Sequence, residues 1–372
     1  MTEKVRLEVL TTPSNRDGVR RQIEKTIETN RTHFDFKMQQ VPHMESAIET
    51  LQSGRGDLLA MSAHQWNDLD HAGLSIVGVL PRREPTWVLV SEDKPEYLQS
   101  RAIVVCDHVL LRRQMRRLRA DLDLMTSETF AARISKSDAY SQLDDEERTS
   151  WLEELRQDGE LDGYIVSRGE HSALRFKARR HTLGLQRENP ERTHFVPPPL
   201  YGFTLLIARN GFPSDTVQMM CDNGAYIAHR MEVAFLASIP QELHAITGIF
   251  VEQRKVSAIL REANRSNDEQ TLEGVLDLNE KIKTPGARLE MRIETLNHQG
   301  TVTAGAERVC PVQESHMGMV NVLKEFQNLL DMMQTEHEEL PQQPRGLAED
   351  FSLARPALLD LHTIHSDSAE EE

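Results

Sequence analysis

The chain has 372 residues, enough for two or three compact units, and its 38% apolar and 27% charged residues place it among globular proteins rather than small cross-linked ones. A formal charge of −16 argues against nonspecific nucleic-acid binding, so an anionic ligand requires a local basic patch. Cys106, Cys221 and Cys310 are far apart and support neither a disulfide framework nor a metal knuckle; with no leader-like N-terminus and no apolar run near ~18 residues, a cytoplasmic protein that spans no membrane is expected.

The first segment, KVRLEVL, alternates like a strand, and DGVRRQIEKTIETN follows with Val19, Ile23 and Ile27 at helical spacing. FDFKMQQV reads as a second strand, SAIETLQSG as a short helix stopped by Gly54, and GDLLAMSA as a third, fully apolar strand. LSIVGVL and TWVLVS add two more on either side of the turn PRREPT. Such alternation belongs to a mostly parallel sheet with helices around it. A fresh unit begins with RAIVVCDHVLLRRQMRRLRADLDLM, a strand leading into a basic helix, and continues through the acidic helix DDEERTSWLEEL to the buried strand in GELDGYIVSRG. After Pro197, Pro198 and Pro199, YGFTLLIAR reads as a strand that returns to the first sheet.

From about residue 220 the texture changes. AYIAHRMEVAFLASI is an amphipathic helix, and GARLEMRIETLNHQGTVTAGAERV is a hairpin with Leu289, Met291 and Ile293 on one face and a turn at 297–300. MVNVLKEFQNLLDMM places Val322, Phe326, Leu329, Leu330 and Met333 on one stripe of a final helix. The expected fold class is α/β: one α/β unit from 1–99 and 200–219, a second from 100–199, a smaller α+β unit from 220–340, and an acidic, Pro-containing, loosely attached tail at 341–372. His362 and His365 in that tail have a metal-compatible spacing, but two histidines in an acidic segment define no site, and no metal is expected.

Polar candidates crowd the end of the third strand, where Ser62, His64, Gln65, Trp66, Asn67 and Asp68 follow Leu58 to Met61 and where open α/β sheets put their ligand chemistry. Trp66 is either a stacking surface for a flat heterocycle or, more commonly for tryptophan, a packing residue. His64 is either a donor to a ligand or a structural histidine. Arg112 and Arg113 are either anion ligands or part of a solvated face; Arg116, Arg117 and Arg119 are expected on that face, paired with the acidic segment 144–160.

The stretch HAGLSIVGVLPRREPTWVLVS resembles the hydroxymethylbilane synthase (porphobilinogen deaminase) family, whose members carry a Gly-Leu, strand, Pro-Arg-Glu-Asp-Pro, strand pattern. Extending backwards without a gap, GRGDLLAMSAHQ falls on the family's Asp-x-x-Val-His-Ser-x-Lys-Asp motif, with Asp57 at its first Asp, Ser62 at its Ser, His64 at its Lys and Gln65 at its catalytic Asp. The resemblance continues patchily through LLRRQMRRL, AARISK, GYIVSRG, FTLLIAR and EVAFLASIPQELHAITG. It implies two domains like type II periplasmic binding proteins facing each other across a cleft, and a third presenting a cysteine thioether-linked to a dipyrromethane primer. Four porphobilinogen units condense onto that primer with loss of ammonia, which requires a carboxylate near the pyrrole nitrogens, an anchoring thiol, and guanidinium groups for the acetate and propionate side chains.

Carried over residue by residue, the resemblance gives an uneven set. The amide of Gln65 cannot accept a proton near neutral pH, and a lost general acid/base costs about 10²- to 10⁴-fold. Asp68 reaches the carboxylate position only through a three-residue slip that the gapless flanks disfavour. Leu243 stands where the family has its cofactor cysteine, so no thioether forms there and no dipyrromethane is expected. Arg112, Arg113 and Arg133 match family arginines and, with Ser62 and His64, are the ligand-binding candidates; Ser127 replaces a further guanidinium. The expectation is a diverged member linked to tetrapyrrole (haem) biosynthesis without dipyrromethane-dependent activity, binding a pyrrole or other small anion or acting as a partner of a pathway protein, with neither nucleic acid nor membrane. The alternatives are an active synthase using displaced residues and an interaction scaffold with no small ligand.

Overall fold

The computed structural model describes residues 4–13, 17–69, 72–174, 177–187 and 192–334. The expected tail and its two histidines lie outside the described residues.

The first unit runs β1 (Val5–Thr11), α1 (Val19–Asn30), β2 (Phe34–Gln40), α2 (Met44–Gln52), β3 (Leu58–Ser62), α3 (Ala63–Asn67) and β4 (Leu74–Val79). The chain then crosses to β5 (Trp87–Ser91), β6 (Ile103–Val105), α4 (Val109–Leu118), β7 (Asp123–Met125), α5 (Ser127–Arg133), α6 (Ser137–Ser141), α7 (Asp145–Gln157), β8 (Gly163–Ser167), α8 (Arg168–Leu174) and β9 (Arg180–Leu183), and returns with β10 (Thr204–Arg209). The third unit is α9 (Asn223–Ser238), β11 (Thr247–Arg254), α10 (Val256–Ser266), α11 (Glu269–Val275), β12 (Arg288–Leu296), β13 (Thr303–Pro311) and α12 (Ser315–Gln334).

The first sheet has the order β2-β1-β3-β10-β4, with β1 parallel to β2 and β3 and the returning β10 antiparallel to both its neighbours. Leu58, Leu59, Ala60 and Met61 of its central strand are all buried, because helices cover both faces. The second sheet has the order β7-β6-β8-β5-β9, with β6 parallel to β7 and β8 and β5 antiparallel to β8 and β9. Each five-stranded sheet thus contains one antiparallel strand beside its parallel core. This is a mixed α/β architecture of two sheet-and-helix units, with a smaller sheet-and-helix region after them. One placement differs from expectation: TWVLVS, assigned by sequence to the first unit, is β5 of the second sheet. Its apolar pattern marks a buried strand but carries no information about which sheet it joins.

The two crossover segments meet backbone to backbone. Arg83 N–H donates to Gly202 O, and Gly202 has φ +81°, with Arg83 O only 2.4 Å from where a Cβ would sit, so only glycine permits this approach. In the third unit, β11-β12-β13 form an antiparallel sheet whose Leu289, Met291 and Ile293 face a buried layer with Phe235, Val322, Phe326 and Leu330. That layer is continuous with Leu10, Met61 and Trp66 of the first unit, so Trp66 packs in the core rather than lining a ligand surface. Among the described residues, no helix is long and apolar enough to cross a membrane.

Candidate functional site: the cleft between the two sheets

The end of β3 opens into a cleft of about 870 Å3 that is walled by both α/β units and the two crossovers. Ser62, His64 and Gln65, three of the sequence candidates, line it. Ser62 is the N-cap of α3: its hydroxyl accepts from Gln65 N–H (3.3 Å) and donates to Gln65 Oε1 (3.0 Å). Gln65 therefore folds back on its own helix start. Ser-x-x-Gln is the spacing of a capping box, a signal already present in the sequence. His64, with 54% of its side chain exposed, has Nδ1 3.9 Å from Asp68 Oδ2. Asp68 caps the far end of α3 and is not part of the cleft lining, so it supplies no substitute carboxylate there.

The cations of the cleft come mainly from residues that sequence reasoning did not single out. Arg21 and Lys25, one turn apart on α1, and Arg83 in the first crossover line it, and among the described residues none of their side chains has a carboxylate or hydrogen-bond partner. A fourth, Arg180, lies with its Nη1 3.0 Å from His171 Nδ1. The carboxylates of the lining are engaged elsewhere: Glu84 pairs with Arg168 at 3.5 Å, Glu170 accepts from the Thr149 hydroxyl, and Asp17 accepts from Val19 N–H. The one-turn spacing of Arg21 and Lys25 on α1 is visible in the sequence, but it marks a site only once the end of β8 and the crossovers share the same lining.

A run of rings joins the two units beside the cleft. His64 and Tyr201 have centroids 5.2 Å apart, Tyr201 and Trp87 5.3 Å, and Trp87 and His108 5.5 Å. Burial, reinforced by the charges of His64 and Arg112, pushes His108 down to about 3, so its ring is neutral near pH 7 and acts as an apolar partner. Trp87 and Tyr201, their rings tilted 56° to each other, give the cleft an aromatic wall.

The arginines of α4 have a different job from either expectation. Arg112 is buried and donates to Cys106 O at 2.7 Å, and Arg113, 0% exposed, donates to Leu296 O at 2.8 Å. Arg116 donates to His298 O, Arg117 pairs with the buried Glu294 at 2.8 Å and also donates to His194 O, and Arg119 pairs with Asp121. Arg112 and Arg113 are thus corrected from anion ligands, and the other three from partners of segment 144–160. The helix lies against the β12–β13 turn, whose carbonyls and Glu294 need donors, and a guanidinium carries five N–H groups in a fixed fork. Arg133, also expected as a ligand, pairs with Asp123 half-exposed on the surface and does not line the cleft. Ser127 is held by Asp107, which accepts from both its N–H and its hydroxyl at 2.7 Å.

The dipyrromethane that the resemblance implies does not fit these residues. Leu243, in the short 3-10 helix Gln241–Ile246, is 0% exposed and packs in the shared core. The thiols do not replace it: none lines the cleft, burial pushes Cys106 up to about 12 and Cys221 up to about 11, and Cys310 is buried and also raised. Among the described residues, no group of three or more His, Cys, Asp or Glu is placed to hold a metal.

The chain matches no family model and no curated protein. Similar solved structures include the periplasmic aliphatic sulphonate binding protein SsuA from Escherichia coli, at 15% identity over 73% of this chain and 77% of that one, with a TM-score of 0.30. The sulfate-bound regulatory domain of a mutant OxyR2 from Vibrio vulnificus is 11% identical over 58% of this chain and 93% of that one (TM-score 0.32), and the methionine binding protein MetQ is 13% identical over 63% and 94% (TM-score 0.31). The strand order, rather than these distant likenesses, defines the architecture.

Proposed function

We propose that this protein is a diverged relative of hydroxymethylbilane synthase that binds a small carboxylate-bearing ligand, a pyrrole or comparable anion, in the cleft between its α/β units, without dipyrromethane-dependent chain growth. The observation that carries the reading is the set of three cations without acid partners among the described residues, Arg21, Lys25 and Arg83, facing one cleft beside the aromatic rings of Trp87 and Tyr201. Charge-assisted hydrogen bonds to carboxylate are roughly twice as strong as neutral ones. The amide at Gln65 and the aliphatic side chain at Leu243 support binding over catalysis, since neither a proton acceptor nor a thiolate stands at those positions. Three free cysteines fit a reducing, cytoplasmic compartment.

Incubation of the purified protein with porphobilinogen, followed by oxidation and absorbance measurement, separates binding from turnover. The proposal expects no uroporphyrin and an unmodified protein mass. Uroporphyrin formation above the uncatalysed rate would establish the alternative, an active synthase.

A further inference from the structure

We propose that the acidic C-terminal segment of this chain is itself an occupant of the cleft, with residues 349–353 as the docking stretch, so that ligand entry competes with an intramolecular carboxylate. This inference rests on the cleft being an anion site. Residues 335–372 carry ten acidic side chains and two arginines, which accounts for eight of the sixteen net negative charges of the whole chain. The cleft presents the complementary set in Arg21, Lys25 and Arg83, solvent-facing and without acid partners among the described residues.

Within that segment, Glu349 and Asp350 are followed directly by Phe351, the only aromatic ring of the Phe, Tyr or Trp type beyond Gln334. Two adjacent carboxylates and a ring match a cleft that sets cations beside the half-buried Trp87 and Tyr201. The terminal run Glu370, Glu371 and Glu372 has the charge without the ring. Glu349 lies fifteen positions beyond Gln334, the end of α12. Such a stretch spans up to about 50 Å when extended, comparable with the width of a domain assembly of this size, and a tether of that length gives effective concentrations on the order of millimolar.

The test is zero-length cross-linking of the full-length protein with a water-soluble carbodiimide, which joins an amine to a carboxylate already in salt-bridge contact. Peptide mapping of the monomer fraction is expected to recover Lys25 linked to Glu349 or Asp350, with the yield falling several-fold in E349Q/D350N and at about 1 M salt, where screening is nearly complete beyond ~3 Å. Three results would each overturn the proposal: no Lys25 link, links from Lys25 to 370–372 as frequent as those to 349–350, or a Lys25 link confined to cross-linked dimers, which assigns the occupant to a second copy. Because no external ligand is added, a cross-link alongside failed porphobilinogen binding would sink only the pyrrole reading, and binding without a cross-link would sink only the docking.

Discussion

Arg82 and Glu232, 150 residues apart, meet in a buried ion pair at 2.6 Å that ties the first crossover to α9 of the third unit. Glu232 also accepts from Leu200 N–H and Val251 N–H, and Arg82 donates to Tyr201 O and Val251 O while its guanidinium lies 3.9 Å from the Phe203 ring centroid. The neighbouring Arg83 turns the other way, into the cleft. One dipeptide therefore supplies both a structural lock and a ligand-facing cation.

Burial pushes Glu232 upward against the pull of Arg82 and the two amides, so the pair is held by geometry at considerable desolvation cost. Removing one partner leaves an uncompensated buried charge: Arg82→Met and Glu232→Leu are each expected to lower unfolding stability by about 3–5 kcal/mol, and the double replacement to recover much of that loss. Urea denaturation of the four proteins checks this, and equal additive losses in the double variant would refute it.

Gly300 closes the β12–β13 turn at φ +72°, and a Cβ there would stand 2.4 Å from Arg113 O and 2.6 Å from Arg117 N. Gly300→Ala combines left-handed strain of about 1–3 kcal/mol with overpacking of about 1–3 kcal/mol. Gly211 has φ +89° with nothing within 4 Å of a Cβ, so Gly211→Ala carries the strain alone. The denaturation midpoint should fall further for the first variant than for the second; equal shifts would mean that α4 does not press on this turn.

Glu294 is the acid counterpart of the α4 arginines. Burial raises its carboxyl, but the hydrogen bond from His194 and the charge and hydrogen bond of Arg117 outweigh it and hold the group below the ordinary carboxylate range. A depressed folded value contributes stability that is present above the unfolded value, about 4.3, and is lost as pH falls through the folded value. Thermal unfolding scans should therefore show stability dropping below about pH 4.3 more steeply in the wild type than in Glu294→Gln. Parallel curves would show that this network is not what acid removes.

Replacing Leu243 with cysteine should not create a cofactor site. The side chain is enclosed in the core shared by the first and third units, so Leu243→Cys is expected to gain no mass on incubation with porphobilinogen. A dipyrromethane adduct on that residue, seen by mass spectrometry, would contradict the buried placement.

Local features were legible in the sequence because they depend on near neighbours. The stripe of Val19 and Ile23, the return strand 204–209 and the hairpin turn at 297–300 all follow from periodicity and breakers. What was not legible depends on partners distant in the chain. The sheet that β5 joins, the bonds of Arg113 and Arg117 to residues 183 and 177 positions away, and the meeting of Arg21 and Lys25 with Arg83 are tertiary facts that leave no periodic trace. The family resemblance pointed to arginines on α4, yet it could not show that the third unit had taken them.

Calorimetric titration with porphobilinogen of the wild type, a triple Arg21→Ala, Lys25→Ala, Arg83→Ala variant, and Arg113→Ala tests the division between cleft cations and α4 arginines most directly. The account predicts binding to the wild type, affinity about ten- to a hundred-fold weaker in the triple variant from the loss of charge-assisted bonds, and unchanged affinity but lower stability in Arg113→Ala. No heat with the wild type at millimolar ligand, or an affinity loss in folded Arg113→Ala with none in the triple variant, would contradict it.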